Sequence, residues 1–213
     1  MHPLARSFVL LALLLPSAAA PAGREVVYVA IGEQTPPGAR AGDPARVAER
    51  LAAGGGLVRR VELTARGIRV EEVRQGLLGQ AVSLRPKVVT LSIGPADACG
   101  TTELRRFARD LHTVTELLRR NSGVLVLSTM DVPDVPEGAC SRSGAALRRR
   151  VEAFNAVIVR AAEQNGVRLA DVRGVRSDDE GEDASPWAVA VAAELEHALA
   201  AGRAAQARPG SRG

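Results

Sequence analysis

Between Glu25 and Ala201 the chain alternates short β-branched runs with longer amphipathic segments, and this alternation limits the fold more than any other feature. The patterning predicts strands at Glu25–Ile31, Leu57–Leu63, Val88–Ile93, Val124–Ser128 and Val167–Ala170. It predicts helices at Asp43–Ala53, Val70–Leu84, Thr101–Arg120, Gly144–Gln164 and Pro186–Ala201. Local signals agree. Asp43 and Pro44 suit an N-cap and a first helical position, and Thr101 or Thr102 a second cap. Pro86 and Asn165-Gly166 read as stops, and Arg119-Arg120 suits the C-terminal end of a helix dipole. Strands alternating with helices imply a parallel sheet covered on both faces by right-handed crossovers. Five such units in 213 residues fit one doubly wound, flavodoxin-like α/β domain without internal repeats. With three Phe, one Tyr and one Trp, the core of that domain must be built from Val, Leu, Ile and Ala.

The expected organisation is a signal peptide at 1–22, a domain at 23–201 and a disordered tail at 202–213. Arg6 precedes the apolar run Phe8 to Leu15, and small residues follow, as in a secretory signal. Ala18-x-Ala20 and Ala20-x-Ala22 both fit the cleavage rule; the second is preferred because the first leaves Pro21 beside the cut. No later segment approaches the roughly 20 apolar residues of a membrane span, and no lipobox cysteine follows the apolar run. A secreted chain without stable membrane insertion is the expectation. In an oxidising compartment two cysteines are by default one disulfide. Cys99 and Cys140 would close a loop of about 40 residues, worth roughly 4 kcal/mol in the chain-entropy model.

The formal net charge is +4, and Lys87 is the one lysine among 28 basic residues. Arg pairs and the triplet Arg148–Arg150 recur in helices that also carry Glu and Asp, so they read as solvated faces. With few aromatic platforms and no concentrated basic face, nucleic-acid binding is not expected.

In a doubly wound sheet the functional surface lies at the carboxyl ends of the strands. There the loops match one family in order and spacing. "YVAIGEQTPPG" resembles the first block of the SGNH (GDSL-type) hydrolases, a strand followed by G-D-S-x-T-x-G. Gly32 and Gly38 match its glycines, Glu33 replaces its Asp, and Gln34 replaces its nucleophilic Ser. "VELTARG" resembles the second block, with Gly67 at the glycine that lends a backbone N–H to the oxyanion hole. "VVTLSIGPADACG" resembles the I-G-x-N-D block, with Asp97 retained and Ala96 at the Asn. "STMDVPDVP" and "FNAVIVRAAEQNGVRLADV" are similar to the segments that follow. "EGEDAS" stands where D-x-x-H is usual, with Glu180 at the Asp and Asp183 at the His. The resemblance covers nearly all of residues 25–200 and implies a three-layer α/β/α sandwich with a five-stranded parallel sheet.

Acyl transfer needs a hydroxyl, a base and donors aimed at the oxyanion. Gln34 has no nucleophilic atom, Ala96 no donor, and Asp183 is a poor base for a hydroxyl. Of the four naming residues only Gly67 remains. Thr35, Ser92 and Ser128 lack a partner base, since His112 and His197 read as helical residues far from this edge. The expectation is a monomeric, cofactor-free, non-catalytic member that holds an ester, glycan or protein ligand. The alternative is an active esterase, lipase or carbohydrate deacetylase. A Ca²⁺ site built from Glu33, Asp97, Asp131, Asp134 and the acidic run Asp178–Asp183 is a third, weaker reading.

Overall fold

The structure, a computed structural model, describes residues 25–33, 43–54, 56–130, 140, 144–173 and 186–207. The segment expected as a signal peptide, Gln34, Thr35, Gly38, Asp131, Asp134, Glu180, Asp183 and the rest of the acidic loop lie outside the described residues.

Five strands form one parallel sheet: β1 Val26–Glu33, β2 Val58–Ala65, β3 Val88–Ser92, β4 Val124–Ser128 and β5 Arg168–Ala170, in the order β2-β1-β3-β4-β5. Between them run α1 Asp43–Ala53, α2 Val70–Glu72, a π-helical turn Val73–Leu77, α3 Leu78–Ser83, α4 Pro95–Cys99, α5 Leu104–Asn121, α6 Gly144–Asn165 and α7 Pro186–Ala207. The sheet is a doubly wound α/β fold, and all four strand pairings are parallel.

Both faces are covered, which is why the central strands are apolar at nearly every position. Along β1, Val29 and Ile31 face a large core shared with α2, α3, α5 and α6, while Tyr28 and Ala30 face a smaller one shared with α1 and α7. Tyr28, Phe107 and Phe154 are buried in these cores. Phe107 on α5 and Phe154 on α6 stack at 4.7 Å between ring centroids. Tyr28 is fully buried, and its hydroxyl pairs with the Thr90 hydroxyl at 2.9 Å, satisfying both polar groups.

Several boundaries differ from the sequence expectation, each for a local reason. β1 continues through Gly32 and Glu33 instead of turning there, because these residues pair with Thr64 and Ala65 of β2. Gly32 also lies against β3: a Cβ built on it would stand 1.8 Å from the Ser92 carbonyl oxygen, at φ +121°. Only glycine permits that approach. The loop expected after β3 contains the short helix α4, opened by Pro95. Helix α5 begins at Leu104 after Glu103, so neither Thr101 nor Thr102 is its N-cap. Residues 202–207, expected in a disordered tail, continue α7, in keeping with the high helix propensity of alanine. Among the described residues no helix is long and apolar enough to cross a membrane.

Candidate functional site

The carboxyl ends of β1, β2 and β3 meet at one corner. There the second loop, from Gly67 to Val70, presents backbone amides at the start of α2, and three of them are held by carboxylates. Glu33 at the end of β1 accepts the Gly67 N–H through Oε1 at 2.7 Å. Glu72 accepts the Arg69 N–H through Oε2 at 2.8 Å. Asp97 on α4 accepts the Val70 N–H through Oδ2 at 3.0 Å. The loop can aim its amides this way because Gly67 adopts φ +67°, which costs glycine little.

Two of these acids are held above their ordinary range. Burial pushes the Glu33 carboxyl up; the Gly67 N–H draws it down, and the nearby Asp97 charge adds to the upward push. Asp97 is fully buried, and burial dominates there too. It outweighs the pull of the Val70 N–H, the Thr102 hydroxyl and the Arg69 guanidinium, and Glu72 pushes the same way as burial. Both groups therefore bind a proton more readily than free carboxyls do.

The α4 helix that carries Ala96 and Asp97 is fixed from two sides. Cys99 forms a disulfide with Cys140, tying α4 to the segment after β4, as the compartment argument expects. Arg150 on α6 donates through Nε to the Ala98 carbonyl at 2.8 Å and through Nη2 to the Thr102 carbonyl at 2.5 Å. Its guanidinium also stacks over Phe154, 4.8 Å from the ring centroid. Arg150 is thus not part of a solvated face, unlike the reading of the Arg148–Arg150 triplet. The helical stripe held the signal: Leu147, Val151, Phe154 and Ile158 are buried, and Arg150 lies one turn from Phe154. Beside this corner a polar cleft of about 400 Å³ runs between the second loop and α5, with Asp97, Arg69, Thr102 and Arg109 in its walls.

A second corner lies at the ends of β4 and β5. Asn155 on α6 is buried and clamps Met130, accepting its N–H at 2.9 Å and donating to its carbonyl at 2.8 Å. The Thr129 hydroxyl donates to Asp171 at 2.9 Å and accepts the Val172 N–H at 2.9 Å. Hydrogen bonding by Arg173 lowers Asp171 from its ordinary 3.8 to about 2, with Thr129 helping and burial opposing. Trp187 on α7 donates its indole N–H to the Ser128 hydroxyl at 3.1 Å.

The structure thus brings together Glu33, Gly67 and Asp97, with Ala96 adjacent on α4. His112 and His197 are exposed on α5 and α7, and His112 faces the Asn165 amide. Among the described residues no group of three or more His, Cys, Asp or Glu side chains is arranged to hold a metal ion. Asn155 and Thr129, which the sequence reading passed over, fix the backbone of this edge.

A doubly wound sheet whose strand ends carry a glycine-gated amide loop, an Asp on a short helix and an Asn-clamped fourth loop has the architecture of α/β/α hydrolases. The profile of the GDSL-like Lipase/Acylhydrolase family matches residues 23–203, and the chain belongs to that family. Solved structures agree on the fold. An acetylxylan esterase from Geobacillus stearothermophilus superposes with a TM-score of 0.63 at 15% identity, covering 84% of this chain and 95% of that one. An alpha/beta hydrolase enzyme from the metagenome of Lake Arreo, Spain, gives 0.62 at 17% identity, covering 84% and 96%. No curated protein sequence matches the chain.

Proposed function

We propose that this chain is an exported, non-catalytic member of the GDSL-like family. In this reading Gln34, Ala96 and Asp183 replace the nucleophile, the oxyanion amide and the base, and the fold is retained to hold a ligand. One observation carries it. Among the described hydroxyls at the strand ends, each with a side-chain partner is engaged structurally, and none meets an imidazole. Ser128 accepts from Trp187, and Thr129 binds Asp171. The polar cleft beside Asp97, with guanidinium and hydroxyl groups in its walls, suits a polyhydroxylated ligand such as a glycan. That agrees in kind with a structural neighbour that acts on acetylated xylan.

Incubation with a fluorophosphonate probe, read by intact mass, tests the reading. The expected result is no adduct under conditions that label an active serine esterase fully. A stoichiometric adduct on any Ser or Thr overturns it and restores the alternative, an ester hydrolase or carbohydrate deacetylase. Export predicts that mature protein recovered from the producing cell starts at Gly23. Free-thiol titration of the unreduced protein should find none.

A further inference from the structure

We propose that Glu33 is the site's own ligand: its carboxylate occupies the Gly67 N–H and closes that donor to any substrate carbonyl. The proposal rests on Gly67 being the counterpart of the family's oxyanion donor, and it adds a second reason for inactivity that is independent of the missing nucleophile.

The geometry leaves the donor no spare capacity. A backbone amide has one proton, and the Gly67 proton is directed at Glu33 Oε1 across 2.7 Å. A bond to a carboxylate is roughly twice as strong as one to a neutral carbonyl, so an ester oxygen does not displace it without a compensating gain. The side-chain length matters. Aspartate at this position is shorter by one carbon–carbon bond, about 1.5 Å, and would leave the amide unfilled from the same backbone. β1 holds Glu33 in register opposite Ala65, two residues before Gly67, so the side chain crosses directly from one strand end to the next loop.

The surroundings reinforce the closure. Glu33 Oε2 is buried and has no hydrogen-bond partner among the described residues, so the carboxyl carries a desolvation cost that the Gly67 bond offsets only in part. Asp97 and Glu72 hold two further donors of the loop, at Val70 and Arg69. A hydrolase needs donors aimed at developing negative charge. Here the Gly67, Arg69 and Val70 donors are already held by the chain's own acids, and a second negative charge at Gly67 would meet repulsion from Glu33 and Asp97. Restoring Ser, Asn and His at 34, 96 and 183 would therefore rebuild the nucleophile and base around an occupied donor.

Amide NMR of the mature protein, with sodium acetate as the probe, tests the proposal apart from catalysis. In the wild type the Gly67 amide resonates downfield, exchanges slowly and stays still as acetate is added. In Glu33→Ala the resonance moves upfield, and added acetate shifts it back saturably by replacing the lost carboxylate. In Glu33→Gln, the variant that serves if Glu33→Ala does not fold, the bond persists without charge. Its resonance moves part of the way upfield and ignores acetate. A wild-type Gly67 amide that titrates saturably with acetate overturns the proposal, and so does an unmoved resonance in Glu33→Gln. These readings do not depend on probe labelling, so an adduct in the fluorophosphonate experiment would overturn the non-catalytic reading and leave this one to stand or fall on Gly67.

Discussion

The two corners of the strand-end edge are built from the same materials and behave oppositely. At the first, Asp97 is buried and Glu33 half-buried, both carboxyls are pushed above their ordinary range, and each has one oxygen without a hydrogen-bond partner among the described residues. At the second, Asp171 is partly exposed, bonded by Arg173, Thr129 and the Arg173 N–H, and held at about 2. A carboxylate with solvent and several donors is a fastener. One whose burial outweighs its donors carries a cost that the rest of the fold must cover. The family's chemistry is expected at the first corner, and the carboxyls there are under-satisfied among the described residues.

The largest effect should come from Gly32, which frames the first corner. Gly32→Ala sets a Cβ against the Ser92 carbonyl at 1.8 Å and should cost more than about 4 kcal/mol, or prevent folding. Soluble yield and urea denaturation report it. A variant as stable as the parent would mean that β1 and β3 can separate, and the corner would lose its rigid base.

Next is Asn155, which fixes the second corner. Asn155→Ala leaves the Met130 N–H and carbonyl without partners in a buried place and should cost about 3 kcal/mol by urea denaturation. A much smaller cost would show that the fourth loop is held mainly by the Cys99–Cys140 disulfide.

The sharpest contrast is in pH. Glu33 and Asp97 bind protons more tightly folded than unfolded. Their corner therefore adds stability below the unfolded carboxyl range, and that contribution fades as pH rises through their folded values. Asp171 has the opposite sign: its contribution is present above 3.8 and is lost as pH falls toward about 2. Melting temperatures across this range should show Glu33→Gln raising stability at neutral pH and converging with the parent in acid. Asp171→Asn should lower stability at neutral pH and converge as pH approaches 2. If the two variants followed the same pH trend, the contrast between the corners would be wrong.

The smallest effect belongs to Ser128. Ser128→Ala removes the acceptor of the Trp187 indole N–H and should cost about 1 kcal/mol. Any loss of a ligand-binding or catalytic signal beyond that would give Ser128 a role that its contact with Trp187 does not suggest.

Much of the fold was legible because its signals are local. β-branched runs marked all five strands, and stops such as Asn165-Gly166 marked helix ends. What was misread depended on a neighbour distant in sequence. The end of β1 looked like a turn because Gly32 and Glu33 are poor strand formers, yet β2 and β3 on either side extend the pairing. Arg150 looked solvated because its partners, the carbonyls of Ala98 and Thr102, lie about fifty residues away. At the site, motif spacing singled out Gly67 and Asp97, and the structure places both at the first corner. The state of the donor was not legible, since motif spacing places Gly67 without saying what its N–H meets.

The sequence alone therefore determined the strand–helix alternation and the blocks that resemble those of the family. Those properties are carried by residue type and spacing along the chain. Only the tertiary structure decided that Glu33 reaches Gly67, that Asp97 holds Val70, and that acids at one corner are raised while Asp171 is lowered. Hydrogen bonds and desolvation depend on distances across strand ends, and the packed sheet sets those distances.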